Sequence, residues 1–161
     1  MKKQEEVPSS AFITSEKILG RVGFLLNKGA QRVREVYEEI LRPMGLTGRH
    51  AGILLILEEK GSITQQEIGK CAHIDRTTMV DMVDDLERLG LVERKEHPTD
   101  RRSHSIYLTQ KCREALPSIE KLCQVAESQF LSCLSAKEQK DLIQILRKLV
   151  LSHYALSKES R

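Results

Sequence analysis

One segment near the middle of the chain constrains the fold most, because it carries start and stop signals for two short helices in close succession. Thr64 and Glu67 form the T-x-x-E pattern of a capping box, which predicts a helix over residues 65–72. Asp75 is a good N-cap for a second helix over residues 76–89, and a glycine follows where a helix is expected to end. Two short helices joined by so few residues predict a helix-turn-helix.

The sequence pattern changes after the second of these helices. The helical period ends at Gly90, so residues 91–95 are predicted to form a strand. Residues 103–108 alternate apolar with polar side chains, which predicts a second strand. The polar run HPTDRR lies between them and predicts the charged tip of a β-hairpin. A hairpin in this position is a wing, and residues 47–109 are therefore predicted to form a winged helix-turn-helix lobe.

Long helical patterns lie on both sides of this lobe. A helix is predicted over residues 14–42, although Gly20 and its neighbouring glycines weaken its propensity, and residues 11–46 are assigned as an N-terminal dimerisation helix. Two further helices are predicted. One covers residues 110–133 with Thr109 as its N-cap, and the other begins at a capping box of Ser135 and Glu138 and ends at about residue 153. Residues 110–155 are assigned as C-terminal dimerisation helices, and the two polar tails are assigned to residues 1–10 and 156–161.

The predicted fold class is therefore mainly α with a small β-hairpin wing, in which a winged helix-turn-helix domain is joined to a helical dimerisation region. A nearly all-apolar helix over residues 48–60 is predicted to be central in the core. The apolar stripes of the flanking helices are larger than one small lobe can cover. We interpret them as packing against a second copy of the chain, and an intramolecular helical bundle is the alternative.

Composition limits the function classes that remain. The chain has 161 residues, of which 40% are hydrophobic and 30% charged, as expected for one globular domain. Aromatics are only 4%, which argues against stacking platforms for single-stranded nucleic acid. The net charge is +3, so nucleic-acid binding needs a local basic patch. No apolar run is long enough for a membrane span and no export signal is evident, which predicts a cytoplasmic protein with no membrane partner and reduced cysteines.

The helix-turn-helix and the hairpin together indicate DNA contact. The N-terminal residues of a recognition helix face base edges in the major groove, which assigns Arg76, Thr77 and Thr78 to base contacts. The hairpin tip contains Asp100, Arg101 and Arg102, and arginines at such a tip can enter a narrow minor groove. Taken alone, this tip would be interpreted as an ordinary solvated turn.

The hairpin and its neighbouring helices resemble those of a known family. The pattern LxRxxxPxDRRSxxxxLT is close to the wing signature of MarR-type winged-helix transcriptional regulators, and residues from Val92 to Thr109 match it except that Val92 stands at its first position. The stretches TQQEIGKCAHIDRTTMVDMVDDLERLGLV and GLTGRHAGILLIL are similar to the recognition and core helices of that family, and the resemblance covers about residues 15–150. It implies that Asp100 orients the wing, that Arg102 inserts into the minor groove, and that Arg101 contacts the backbone or shares the groove.

The same resemblance implies the partners and the mode of action. It implies a homodimer that places two recognition helices in successive major grooves of a pseudo-palindromic double-stranded operator. It also implies phosphate contacts by Ser62, Gln65 and Gln66, and a helix N-terminus at Gln65 favours such contacts through its free N–H groups. The expected function is repression that a small aromatic or anionic effector relieves, with no cofactor and no enzymatic activity.

The recognition helix departs from its relatives in being acidic. From Asp75 to Gly90 there are five acids and two bases, which gives a net charge of −3. Acids near phosphate are repelled, so we expect Asp84 and Asp85 to pair with Arg88 instead of facing DNA. Asp81 is harder to dismiss, because an acid at base level can accept a hydrogen bond from cytosine N4. Asp81 is therefore a fourth candidate for major-groove contact.

Other functions remain open at this stage. Cys112, near the start of a helix, is the best candidate for a thiol of lowered pKa, which keeps a redox-sensing regulator as an alternative. Cys71 is interpreted as a core residue. No Cys/His ligand spacing for a metal is evident, and no nucleophile elbow, phosphate loop or zinc-hydrolase motif occurs. A helix-turn-helix protein that binds a protein partner is the remaining alternative, and the acidic recognition helix favours it most.

Overall fold

The computed structural model describes residues 16–96 and 104–159, and for residues 153–159 it describes the helical backbone alone. The predicted mainly α fold with a small antiparallel sheet is confirmed. In chain order the elements are α1 (Glu16–Leu19), α2 (Val22–Leu41), a 3-10 turn (Arg42–Met44), α3 (Gly48–Lys60), β1 (Ile63–Thr64), α4 (Gln65–Ala72), α5 (Arg76–Arg88), β2 (Val92–Glu96), β3 (His104–Leu108), α6 (Gln110–Phe130) and α7 (Ala136–Glu159).

The sheet has three antiparallel strands in the order β1-β3-β2. Strands β2 and β3 pair from Val92 opposite Leu108 to Glu96 opposite His104, which confirms the predicted hairpin as far as the structure describes it. The sequence did not predict β1, whose two residues are too few to show an alternating pattern. Its pairing with β3 joins the start of the helix-turn-helix to the hairpin.

The N-terminal helix is interrupted, so the prediction of one helix over residues 14–42 is wrong. The first helix ends at Leu19, and Arg21 has an extended backbone before α2 begins at Val22. Gly20 lies at the break, where the low helix propensity of glycine removes the local stabilisation that would carry the helix through. The segment that was predicted as a single dimerisation helix therefore consists of two helical pieces.

The core lies where α3, α5, the sheet and α6 meet. Helix α3 is central, as predicted, because Ile53 and Leu54 are fully buried within it. Helix α5 contributes one apolar stripe at helical spacing, and burial of such side chains is the main source of stability in a domain of this size. The members of that stripe are Met79, Met82, Val83 and Leu86.

Helix α6 connects the lobe to the long flanking helices. It continues through Pro117 and ends at Phe130, slightly before the predicted end.

Tyr37 of α2 packs its ring against Gly48 of α3, where an added Cβ would lie 3.1 Å from ring atoms. The Tyr37 hydroxyl donates a hydrogen bond of 3.0 Å to Glu127 of α6. Burial and the nearby Glu127 carboxylate raise the pKa of Tyr37.

Helix α7 packs little against the rest of the chain and continues to Glu159, past its predicted end near residue 153. Ser135 and Glu138 form the predicted capping box at its start. Large apolar side chains are exposed on α2 and α7, and these are Val22, Leu25, Leu26, Ile143, Ile145, Leu149, Val150 and Leu151. A search of the described residues finds no helix with the length and apolar character needed to cross a bilayer.

Candidate DNA-binding interface

The start of α5 is fixed by its N-cap. The Asp75 carboxylate accepts a hydrogen bond of 3.0 Å from the backbone N–H of Thr78 and one of 2.7 Å from the Thr78 hydroxyl. These bonds from the Thr78 backbone and side chain hold the pKa of Asp75 below its ordinary value, because they stabilise the charged form. The N-cap is as predicted, and it also engages the hydroxyl of Thr78, a side chain expected to contact bases.

Opposite its buried stripe, α5 presents a continuous exposed surface. Arg76, Thr77 and Asp81 are all exposed on it, and their contacts to bases stay a prediction. Val80 lies among them with 39% of its surface exposed, although sequence analysis did not single it out. Its position four residues after Arg76, outside the buried stripe, was the signal that could have identified it.

The N-terminus of α4 lies at a second edge of this surface. The Thr64 hydroxyl accepts a hydrogen bond of 3.3 Å from the backbone N–H of Glu67, and the Glu67 carboxylate accepts one of 2.8 Å from the backbone N–H of Thr64. This confirms the predicted capping box. Gln65 and Gln66 are the first two residues of the helix, and Ser62 is exposed just before it. The three side chains predicted to contact phosphates therefore lie together at this helix start.

A cavity of about 910 Å³ lies between α4, the start of α5 and the base of the hairpin. It brings predicted backbone-contact residues and a predicted base-contact residue to one concave surface. Among the residues that line it are Gln65, Gln66, Lys70, Arg76, Val80 and Arg94. Lys70 and Arg76 give this concave surface positive charge, which favours an anionic backbone, so we assign the cavity to the same candidate interface.

Ion pairs neutralise several of the acids on α5. The guanidinium of Arg94, on β2, bonds both Asp84 and Glu87, and the Arg94 backbone N–H donates a further bond of 3.2 Å to Glu87. Arg88 pairs with Asp85, as expected. The expectation that Asp84 also pairs with Arg88 is wrong, because the hairpin brings the longer-range partner Arg94 against the helix.

His50 lies against the flank of α5 that faces α3. The residue is 6% exposed, and its Nδ1 accepts a hydrogen bond of 3.2 Å from the backbone N–H of Thr47. The His50 Nε2 lies 3.8 Å from a carboxylate oxygen of Asp85. Burial lowers the pKa of His50, and the Asp85 carboxylate opposes this shift. The His50 side chain therefore lies between α3 and the flank of α5.

The cysteines do not match their predicted environments. Cys112 is buried, and burial raises its pKa to about 11, which overturns the expectation of a lowered pKa for this candidate redox thiol. Cys71 is exposed, so its interpretation as a core residue is wrong. The inner face of α4 is formed by Ile68 and the partly buried Ala72, and Cys71 lies beside that face. Among the side chains that the structure describes, in residues 16–96 and 104–152, no group of three potential metal-binding side chains occurs.

The predicted wing residues Asp100, Arg101 and Arg102 lie outside the described residues. Strands β2 and β3 lead into and out of this tip, and Arg94 joins β2 to α5. A helix-turn-helix followed by an antiparallel hairpin defines a winged helix-turn-helix DNA-binding protein.

Comparison with known proteins agrees with this class. A sequence profile described as the MarR family matches residues 44–103. A putative transcriptional regulatory protein for the hcr operon of Thauera aromatica is 28% identical over 153 residues, which cover 92% of each chain. The chain belongs to the MarR family of transcriptional regulators.

Solved structures show the same similarity. The transcriptional repressor CouR, bound to a 23-mer DNA duplex, is 30% identical with a TM-score of 0.78, and the match covers 85% of this chain and 97% of that one. A probable transcriptional regulator from Pseudomonas aeruginosa is 28% identical with a TM-score of 0.75, over 81% of this chain and 97% of its own. The shared fold therefore extends well beyond the residues of the family profile.

Proposed function

We propose that the protein represses transcription by binding, as a homodimer, to a pseudo-palindromic operator. The observation that carries this proposal is the single surface formed by the exposed face of α5, the start of α4 and the base of the hairpin. Arg76, Thr77, Val80 and Asp81 contact base edges in the major groove. Gln65, Gln66 and Ser62 contact phosphates, and two such lobes bind half-sites about 34 Å apart along the duplex.

The wing arginines supply the second part of DNA binding. In this proposal Arg102 enters the minor groove, Asp100 orients the tip, and Arg101 contacts the backbone. An electrophoretic mobility shift with DNA from upstream of the protein's own gene tests the proposal directly. We expect Arg102→Ala to lose binding while the dimer is retained, and Arg32→Ala, an exposed arginine on α2, to bind as wild type does. Unchanged binding by Arg102→Ala would refute the wing role.

Dimerisation is supported by the exposed apolar side chains of α2 and α7. Leu149 and Val150 are 47% and 54% exposed in the single chain, and covering them with a second copy removes apolar surface from water. We expect Leu149→Glu to shift the mass measured by light scattering toward one chain, and the control Gln144→Glu, at an exposed polar position of α7, to leave a dimer. A wild-type protein of single-chain mass at micromolar concentration would contradict this part of the proposal.

Release by a small aromatic or anionic effector completes the mechanism. An effector that prefers one spacing of the two lobes shifts the population toward that spacing, and DNA affinity falls as a result. Titrating an aromatic carboxylate such as benzoate, while following both DNA affinity and mass, tests this step. We expect weaker DNA binding with the dimer intact. Dissociation into single chains during the titration would argue for a different mechanism.

A further inference from the structure

The acidic character of α5 conflicts with its position against DNA. Spacing by four, seven and eleven residues places Thr77, Asp81, Asp84 and Arg88 on one outward-facing stripe of a helix. Asp84 therefore shares its face with two of the residues assigned to base contacts. A bare carboxylate on this face would repel the phosphates on either side of the groove.

Arg94 occupies the position that resolves this conflict. It lies on β2, outside the helix, and its guanidinium bonds the carboxylates of both Asp84 and Glu87. Only 23% of the Arg94 side chain is exposed, against 75% for Arg88 in its pair with Asp85. A partly buried charge is screened less by salt than an exposed one, although the Asp84 side chain itself is 57% exposed. The planar fork of arginine also suits two acceptors at once.

We infer that Arg94 is a positioning residue for DNA binding, which acts by neutralising Asp84 and Glu87 so that the acidic face of α5 can approach the duplex. Arg94 itself contacts no base in this arrangement. Arg94 affects DNA binding only by neutralising the two carboxylates. The inference rests on the proposed use of α5 as the recognition helix. The same ion pairs hold the base of the hairpin against α5, so the wing and the recognition helix are joined at this point.

The test compares four variants of the full-length protein. Arg94→Gln leaves both carboxylates without their partner, and we expect it to weaken binding about tenfold. The triple variant Arg94→Gln/Asp84→Asn/Glu87→Gln removes the carboxylate charges as well, and we expect it to bind within about threefold of wild type. Lys95→Gln removes one cation from the neighbouring position on β2 and is the matched control, with a change below about threefold.

Two labelled duplexes serve as probes in fluorescence anisotropy. One is selected from a randomised library with the wild-type protein, and the other is a mixed-sequence 30-mer that reports phosphate binding alone. We expect the dependence of affinity on salt to become shallower in Arg94→Gln and to return in the triple variant. A loss that came only from a displaced hairpin would persist in the triple variant, which still lacks the ion pairs.

The fourth variant is a control for loss of affinity caused by misfolding. Asp84→Asn/Glu87→Gln keeps Arg94 and frees its charge, so we expect it to bind the mixed-sequence duplex a few-fold more tightly than wild type. A gain of affinity cannot come from an unfolded protein. The inference is overturned if this variant binds more weakly, if the triple variant is as weak as Arg94→Gln, or if Lys95→Gln loses as much as Arg94→Gln. Failure of the wild-type protein to bind either duplex would instead refute the proposed function.

Discussion

Replacement of His50 by glutamine should remove a specific part of the pH dependence of stability. His50 is 6% exposed, and its Nδ1 accepts a hydrogen bond from the backbone N–H of Thr47. Protonation would place a second donor against that N–H and a charge in a buried site, so the folded protein favours the neutral ring. Burial accordingly lowers the pKa of His50 from its ordinary value of 6.5.

The sign of the effect follows from proton linkage. Between the lowered pKa of the folded state and about 6.5, the unfolded chain binds a proton at this position and the folded chain does not. Stability is therefore fully present above pH 6.5 and is lost as the pH falls toward the folded-state pKa. One proton limits the slope to about 1.4 kcal/mol per pH unit, and Asp85 reduces the effect because its carboxylate favours the charged ring.

Urea unfolding at about pH 7.5, 6.5 and 5.5 measures this contribution. Glutamine can accept the hydrogen bond from Thr47 without titrating, so the pH dependence of His50→Gln should be flatter than that of wild type by up to about 1.4 kcal/mol per unit. The control His104→Gln removes an exposed histidine on β3 and should keep the wild-type slope. An unchanged slope in His50→Gln would show that the buried ring does not resist protonation.

Three further outcomes follow from the packing. Tyr37→Phe loses the hydrogen bond to Glu127 and should lower the free energy of unfolding by about 1 kcal/mol in urea; no change would mean that water replaces the bond fully. Leu86→Ala leaves a cavity beneath α5 and should cost about 2–5 kcal/mol, and a loss below about 1 kcal/mol would contradict its full burial. A thiol reagent at pH 8 should label two thiols rapidly in the native protein and four after unfolding; equal rates for all would contradict the assigned burial, with Cys71 and Cys133 exposed and Cys112 and Cys123 buried.

Most of what the sequence predicted correctly depends on local interactions. The capping residues Thr64, Asp75, Thr109 and Ser135 each bond a backbone N–H three residues further on, so their roles can be recognised from spacing alone. The buried stripe of α5 is predictable for the same reason, because helical periodicity determines which side chains share a face.

The features that the sequence did not predict depend on contacts between distant residues. Residues 63–64 form strand β1 only because they pair with β3. The hydrogen bond between Tyr37 and Glu127 likewise joins two distant elements, α2 and α6. Asp84 had a suitable local partner in Arg88, yet it pairs with Arg94 because the hairpin folds back onto α5. Spacing rules for a helix identify ion-pair partners three or four residues away on the same helix. They cannot identify a partner on another element that a turn brings into contact.

The ion pairs change the interpretation of the charge on α5. Of the five acids from Asp75 to Gly90, Asp84 and Glu87 are paired with Arg94, Asp85 is paired with Arg88, and Asp75 is occupied as the N-cap of α5. Among the residues that the structure describes, Asp81 is the acid within α5 for which no ion pair is seen, and Arg76 is the cation in the first turn of the helix. One cation and one anion at base level contribute little net attraction to phosphate, but each can favour a different base edge. If α5 is the recognition helix, as proposed above, we expect it to supply base discrimination and most of the salt-dependent affinity to come from cations outside α5.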